Sequence, residues 1–152
     1  MGMSRSQREM LGVMSIIDGV ALSIESHYKN RRRNKTVLDL CGRVHRATAD
    51  CMDAFGLEVD AKDYGRMDAL LNKYDERTFR GDHVDMSILT SAGLGMLDGI
   101  ERKVTNPERS ASLDAVERAL RRLHWYFDRK LDRFDDYRKA EKAIRTWNEL
   151  AA

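Results

Sequence analysis

The sequence predicts an all-α protein, a single-domain bundle of four or five helices with long first and last helices over residues 1–152. Apolar residues recur every three or four positions in five segments, and no alternating run of β-branched residues is long enough for a strand. The chain also has only one proline and 7% aromatic residues, whereas β-sandwiches need many turn signals. Its 152 residues suit one compact core.

The first helix is predicted to run from about Ser4 to Tyr28. Asp18 borders the apolar face of this helix and is the polar residue there that could be buried. The stripe steps by four and three without interruption through Met10, Met14, Ile17, Ala21, Ile24 and Tyr28.

The apolar run that follows Arg5 and Arg8 loosely imitates a secretory signal, but Glu9 and Asp18 interrupt the imitation. The run is also shorter than the ~20 residues that a membrane span needs. We therefore expect a soluble, cytoplasmic protein with no membrane partner.

The second helix is predicted to follow the polar segment 29–35, with Asn34 or Thr36 as its cap and Gly56 at its end. Cys41 and Cys51 lie about 15 Å apart along this helix and cannot pair with each other. Free, buried thiols suit a reducing compartment. The inward positions are Val37, Cys41, Val44, Cys51 and Phe55.

A third helix is predicted to begin near Asp60, and a fourth to follow Gly81. Glycines at 93, 95 and 99 each cost about 1 kcal/mol against alanine, so the fourth helix either breaks near residues 93 to 95 or uses these glycines to pack closely against another helix. The third stripe is Tyr64, Met67, Leu70, Leu71 and Tyr74, and the fourth is Met86, Leu89, Met96, Ile100 and Val104.

The last helix is predicted from about residue 113 to 149, after Asn106 and Pro107. A straight helix of that length measures about 55 Å, against about 30 Å for the second and third helices. Its distal stripe then needs a cover, which predicts self-association or a protein partner. The stripe is Leu113, Val116, Leu120, Leu123, Phe127, Leu131, Phe134, Tyr137, Ile144 and Trp147.

Bulk charge identifies no partner, because 27 basic residues nearly cancel 25 acidic ones. The basic residues are concentrated in one predicted loop. Such a cluster can neutralise phosphates, or it can simply be a solvated loop between helices. Its members are Lys29, Arg31, Arg32, Arg33 and Lys35.

A candidate interaction surface lies on the last helix. If Phe127 faces the core, Trp125 lies about 160° away around the helix. An exposed indole among arginines suits a protein interface or a nucleic acid, although packing against another helix of the same bundle is the simpler interpretation. The neighbouring arginines are Arg118, Arg121, Arg122 and Arg129.

A metal site is a weaker hypothesis. His124, Asp128 and Asp132 recur every fourth residue with Asp135 nearby, but one helix supplies only two ligands on adjacent turns. No residues form a convergent catalytic set, so we expect no metal, no cofactor and no catalytic residue.

The preferred hypothesis is therefore a non-enzymatic cytoplasmic protein that acts by protein binding or assembly through helix surfaces. The first alternative is a nucleic-acid-binding protein that uses residues 29–35 and the Arg/Trp face. That alternative gains if both basic elements lie on one side of the fold. The second alternative is a helical metal-dependent hydrolase, which requires acids from another helix to face His124 and Asp128 across an enclosed cavity.

Overall fold

The computed structural model describes residues 4–57 and 83–130 together with Arg145 and Glu149. Residues 4–57 and 83–130 contain four α-helices: α1 (Arg5–Tyr28), α2 (Lys35–Ala54), α3 (His83–Glu101) and α4 (Pro107–Asp128). The predicted all-α bundle is confirmed, and α1 and α4 are the longest of these four helices. The helix predicted from Asp60 and the stripe from Leu131 to Trp147 lie outside the described residues.

The four helices form a square in which α1 and α4 each pack against both α2 and α3. The α1 helix is antiparallel to α2, because Glu25 lies near Cys41 whereas Asp18 contacts His45. It is also antiparallel to α3, because Ile17 lies opposite Gly93 whereas Glu9 pairs with Lys103. The α3 helix is also antiparallel to α4, where Thr90 contacts His124. Consequently α1 and α4 run in the same direction, and α2 ends at the opposite end of the bundle from the start of α3.

The core lies between the inward stripes of all four helices, as their apolar periodicity predicts. At one end, the rings of Tyr28 and Phe127 lie 5.8 Å apart across the diagonal between α1 and α4. The largest fully buried side chains are Phe127, Leu11, Met14, Ile17, Ile24, Met86, Ile88, Leu89, Leu97, Leu113 and Leu120.

The start of α1 and the end of α2 are both closed by local hydrogen bonds. The Ser4 hydroxyl accepts from the backbone N–H of Gln7, whose side chain accepts from the Ser4 N–H in return. Gly56 adopts φ +64° after α2, a left-handed conformation that glycine tolerates. The Leu57 N–H then donates to the Met52 carbonyl at 2.9 Å, and the buried Leu57 side chain closes the turn.

The α3 helix is continuous from His83 to Glu101, so of the two interpretations of its glycines the break is wrong and close packing is confirmed at Gly93. A Cβ atom on Gly93 would lie 3.1 Å from Leu120 Cδ2 and 3.5 Å from Ile17 Cγ1. Gly93 therefore allows α3 to approach its two neighbours closely, and tertiary packing offsets its low helix propensity.

The predicted bounds of the last helix are also wrong. It begins at Pro107, where the Asn106 side chain accepts from the Arg109 N–H, and it ends at Asp128. The Lys130 N–H donates to the Phe127 carbonyl at 3.0 Å, which tightens the chain into a turn. The 22 residues of α4 span about 33 Å, not the predicted 55 Å. The length of this helix therefore gives no reason to expect self-association.

The predicted burial of both cysteines is confirmed, and Cys41 and Cys51 are free thiols. Burial raises the pKa of Cys41 to about 12, with a smaller contribution from Glu25, and burial also raises the pKa of Cys51. One segment, Gln7–Tyr28, is long and apolar enough to cross a membrane, but half of its hydrophobic window is buried within the bundle.

Candidate functional site

The indole of Trp125 is the most exposed large apolar side chain of the described residues. It is 67% exposed, whereas Phe127, two positions further along α4, is fully buried. This is the arrangement that helical geometry requires once Phe127 faces the core. The prediction that Trp125 lies off the core is confirmed, and the interpretation that it packs within its own bundle is wrong.

The arginines predicted around Trp125 divide into two groups. Arg121 is engaged, because its Nε and Nη2 atoms donate to Glu117 Oε1 at 3.0 and 2.8 Å. Arg129 lies over a different ring, with its Cζ atom 5.3 Å from the centre of Tyr126. Exposed Arg118 and Arg122 form no ion pair within residues 4–57 and 83–130. We call Trp125, Arg118 and Arg122 the Trp125 surface.

The predicted basic cluster forms the connection between α1 and α2. The Asn34 side chain donates to the carbonyls of Tyr28 and Lys29, both at 3.0 Å, and so holds the loop against the end of α1. Asn34 makes no side-chain cap for α2, although it was predicted as a cap. Arg31 lies 4.5 Å above the Tyr28 ring, and Arg33 adopts φ +57°, an uncommon conformation for a residue with a Cβ atom.

The last turn of α4 lies beside this loop. Phe127 contacts Tyr28 on one side and packs edge-on against Tyr126 at 5.2 Å on the other. Lys130 places its Nζ atom 4.0 Å from the centre of the Tyr126 ring. We call the cations gathered here the basic end: Lys29, Arg31, Arg32, Arg33 and Lys35 from the loop, with Arg129 and Lys130 from α4. The basic loop and the end of the arginine-bearing helix thus share one end of the bundle.

The neighbours of His124 and Asp128 in the described part of α3 are hydroxyl groups. Thr90 Oγ1 lies 2.8 Å from His124 Nδ1, and Ser87 Oγ lies 3.5 Å from Asp128 Oδ1. Burial lowers the pKa of His124, and the nearby carboxylate of Asp128 opposes that shift. Thr90 itself is buried and donates to a backbone carbonyl of its own helix, so these contacts fasten α3 to α4. Asp132 and Asp135 lie outside the described residues.

Three carboxylates that sequence reasoning missed converge between α3 and α4. Glu101, Asp114 and Glu117 each place an oxygen atom within 4.8 Å of the others. Burial and then the charge of Glu117 raise the pKa of Glu101 to about 7. Arg121 pairs with Glu117 at 2.8 Å, so one of the three carboxylates already has a cation as its partner. The arrangement therefore favours a shared proton over a bound cation.

Asp18 is buried, as its position in the apolar stripe of α1 suggested. Its Oδ1 atom lies 2.5 Å from His45 Nδ1, and the Thr48 hydroxyl lies 3.4 Å from the same oxygen. No sequence signal identified His45 as the partner, because a contact between two helices leaves no local spacing to detect. The partners satisfy a buried carboxylate, so the cluster stabilises the α1/α2 pair.

A shallow groove of about 440 Å³ also separates α1 from α3. A Cβ atom on Gly12 or Gly99 would meet no other atom within 4 Å, so the helix backbones are open to the groove. Lys103 and Glu9 form an ion pair of 3.5 Å at its rim. The remaining lining residues are Arg8, Val13, Ile16, Met96 and Ile100.

Comparison with known proteins gives no relative, because no protein-family model, no curated protein and no solved structure matches this chain.

Proposed function

We propose that this chain is a non-enzymatic protein that binds a protein partner through helix surfaces, with the Trp125 surface as the principal contact. The observation that carries the proposal is the 67% exposure of Trp125 on a helix whose opposite face is fully buried. Contact of the apolar indole surface with water is unfavourable in free energy, and a partner that covers the ring removes that cost. Tryptophan and arginine are also enriched among the residues that contribute most to binding at protein interfaces.

The surroundings of the indole suit such a contact. Arg122 and Arg118 precede Trp125 by three and seven residues, so all three side chains lie on neighbouring turns of one helix face. Their alkyl stems extend the apolar area, and their guanidinium groups favour a partner with carboxylates or an aromatic ring. A rigid helix also presents these groups with little loss of conformational entropy on binding.

We place this protein in the cytoplasm, a proposal supported by two buried cysteines that form no disulfide. A second copy of the chain remains one candidate for the partner. Sedimentation velocity over a wide concentration range tests that candidate directly, since a concentration-dependent dimer is expected only if the partner is another copy.

The experiment compares affinity-tagged wild type with the double variant Trp125→Ala/Arg122→Glu in native cell extracts. The matched control is Leu22→Ala/Arg46→Glu, because Leu22 on α1 is the other exposed large apolar residue of the described helices, at 45%. Proteins retained by wild type and by the control, but not by the Trp125 variant, are then purified for direct titration. We expect their Kd to rise about 30-fold, equivalent to about 2 kcal/mol.

Circular dichroism and the Tm of the Trp125 variant should match wild type, since both substituted side chains are exposed. Equal retention of every protein by wild type and the Trp125 variant would refute the proposal. Retained material that disappears after nuclease treatment would replace the protein partner with a nucleic acid.

A further inference from the structure

The basic end is a concentration of exposed positive charge at one end of the bundle. Six of its seven cations form no ion pair with any described residue: Lys29, Arg32, Arg33, Lys35, Arg129 and Lys130. All six are exposed. They come from two elements that are distant in sequence, and the contact of Tyr28 with Phe127 brings these elements together.

The described acidic groups nearest to the basic end form no ion pair with its cations. Asp39 Oδ2 pairs with Arg43 at 3.4 Å, and Asp128 faces Ser87 and His124. Glu25, one turn before the loop, lies close enough to Cys41 to contribute to the raised pKa of that thiol. Within residues 4–57 and 83–130, no acidic group forms an ion pair with these six cations, so an external anion would relieve their mutual repulsion.

The basic end is also held in place before any partner arrives. Asn34 bonds the loop to the carbonyls at the end of α1, and the rings of Tyr28 and Tyr126 lie under Arg31 and Lys130. Cations held over aromatic faces lose less conformational freedom on binding an anion than free surface lysines do. The left-handed backbone of Arg33 is a strained conformation at a site that already gathers charge.

We propose that the basic end binds the phosphate backbone of a nucleic acid without reading its bases. A phosphate backbone offers several anions to the cations that two elements bring together here, and release of condensed counterions drives such binding. An anionic membrane fits less well, because the apolar side chains that join the loop to α4, Tyr28 and Phe127, are buried and unable to insert. The proposal is independent of the Trp125 surface, which uses other residues.

The test measures binding of fluorescein-labelled 30-base-pair DNA duplexes of two unrelated sequences by fluorescence anisotropy, from 50 to 300 mM salt. The variant Arg32→Gln/Lys130→Gln removes one cation from each element of the basic end. The matched control, Arg5→Gln/Arg46→Gln, removes two exposed arginines elsewhere on α1 and α2. Vesicles of phosphatidylcholine and phosphatidylserine form the second arm, and Trp125→Ala is measured beside the others.

Wild type should bind both duplexes equally, with an affinity that falls steeply as salt rises. The basic-end variant should raise the Kd about tenfold at 100 mM salt. A plot of the logarithm of the association constant against the logarithm of the salt concentration should become less steep by about 1.8. The control and Trp125→Ala should bind like wild type, which separates this proposal from the Trp125 surface. Binding to vesicles but not DNA, or an equal loss in the control, would overturn the proposal, as would undetectable DNA binding at 50 mM salt.

Discussion

Asp18 Oδ1 lies 2.5 Å from His45 Nδ1, and this contact joins the middle of α1 to the middle of α2. The two partners differ in burial, since the Asp18 side chain is 4% exposed and the His45 side chain 56%. A buried carboxylate is costly without hydrogen-bond donors, and here the imidazole and the Thr48 hydroxyl face it.

Removal of the imidazole should therefore destabilise the protein by leaving the carboxylate unpaired. We expect His45→Ala to lower the free energy of unfolding by about 2 kcal/mol, measured by urea denaturation. In the double variant Asp18→Ala/His45→Ala, the effect of the histidine substitution should largely disappear, because no buried charge remains. Strictly additive effects of the two substitutions would show that this contact contributes no coupling energy.

Alanine substitutions at Gly93 and Gly95 should differ, although both residues lie within α3. Alanine at position 95 meets no atom within 4 Å and should stabilise the helix by up to about 1 kcal/mol. Alanine at position 93 must displace Leu120, so we expect Gly93→Ala to be at least about 1 kcal/mol less stable than Gly95→Ala. Thermal unfolding of the two variants checks the order, and equal Tm values would contradict the close packing at Gly93.

Glu101 should make stability fall between about pH 4.5 and 7. Burial and Glu117 raise the pKa of Glu101 from 4.5 to about 7, so the folded chain binds more protons than the unfolded chain in that window. The free energy of unfolding therefore loses this contribution as pH rises and stays at the lower level above pH 7.

The substitution Glu101→Gln removes the titrating group while keeping the shape of the side chain. It should raise stability at pH 8 by about 1 to 2 kcal/mol relative to wild type and have little effect at pH 4. Glu108→Gln serves as the control, because Glu108 is an exposed acid in the first turn of α4. Urea titrations at pH values from 4 to 8 give the free energies of unfolding of the variant and of wild type. If the difference between these two free energies does not change with pH, Glu101 does not have a raised pKa.

Much of the fold could be predicted from the sequence because burial of one helix face leaves a periodic signal in the chain. The stripes of α1 and α2 depend only on residues close in sequence, and they were predicted correctly. The sequence left the continuity of α3 through Gly93 open, because it depends on Leu120 and Ile17, which lie on other helices.

The candidate site shows the same division. The exposure of Trp125 follows from the angle between neighbouring positions on one helix and was predictable. Glu117 and Arg121 lie four residues apart, a spacing that allows an ion pair on a helix. Whether the Arg121 side chain turns towards Glu117 or towards the indole of Trp125 depends on its rotamer, which the sequence does not specify. The basic loop lies near Lys130 because Tyr28 contacts Phe127 across the bundle, and no local sequence pattern reveals that contact.

The directions of the helices have a consequence for how the chain folds. The α1/α2 pair and the α3/α4 pair are both antiparallel hairpins with short connections, residues 29–34 and 102–106. Closing either hairpin requires only a small loop-closure entropy, whereas docking the two hairpins brings together parts of the chain far apart in sequence. Each hairpin presents an apolar stripe to water until the other covers it. We therefore expect docking of the two hairpins to limit the folding rate, with Asp18 and His45 already in contact within the first hairpin.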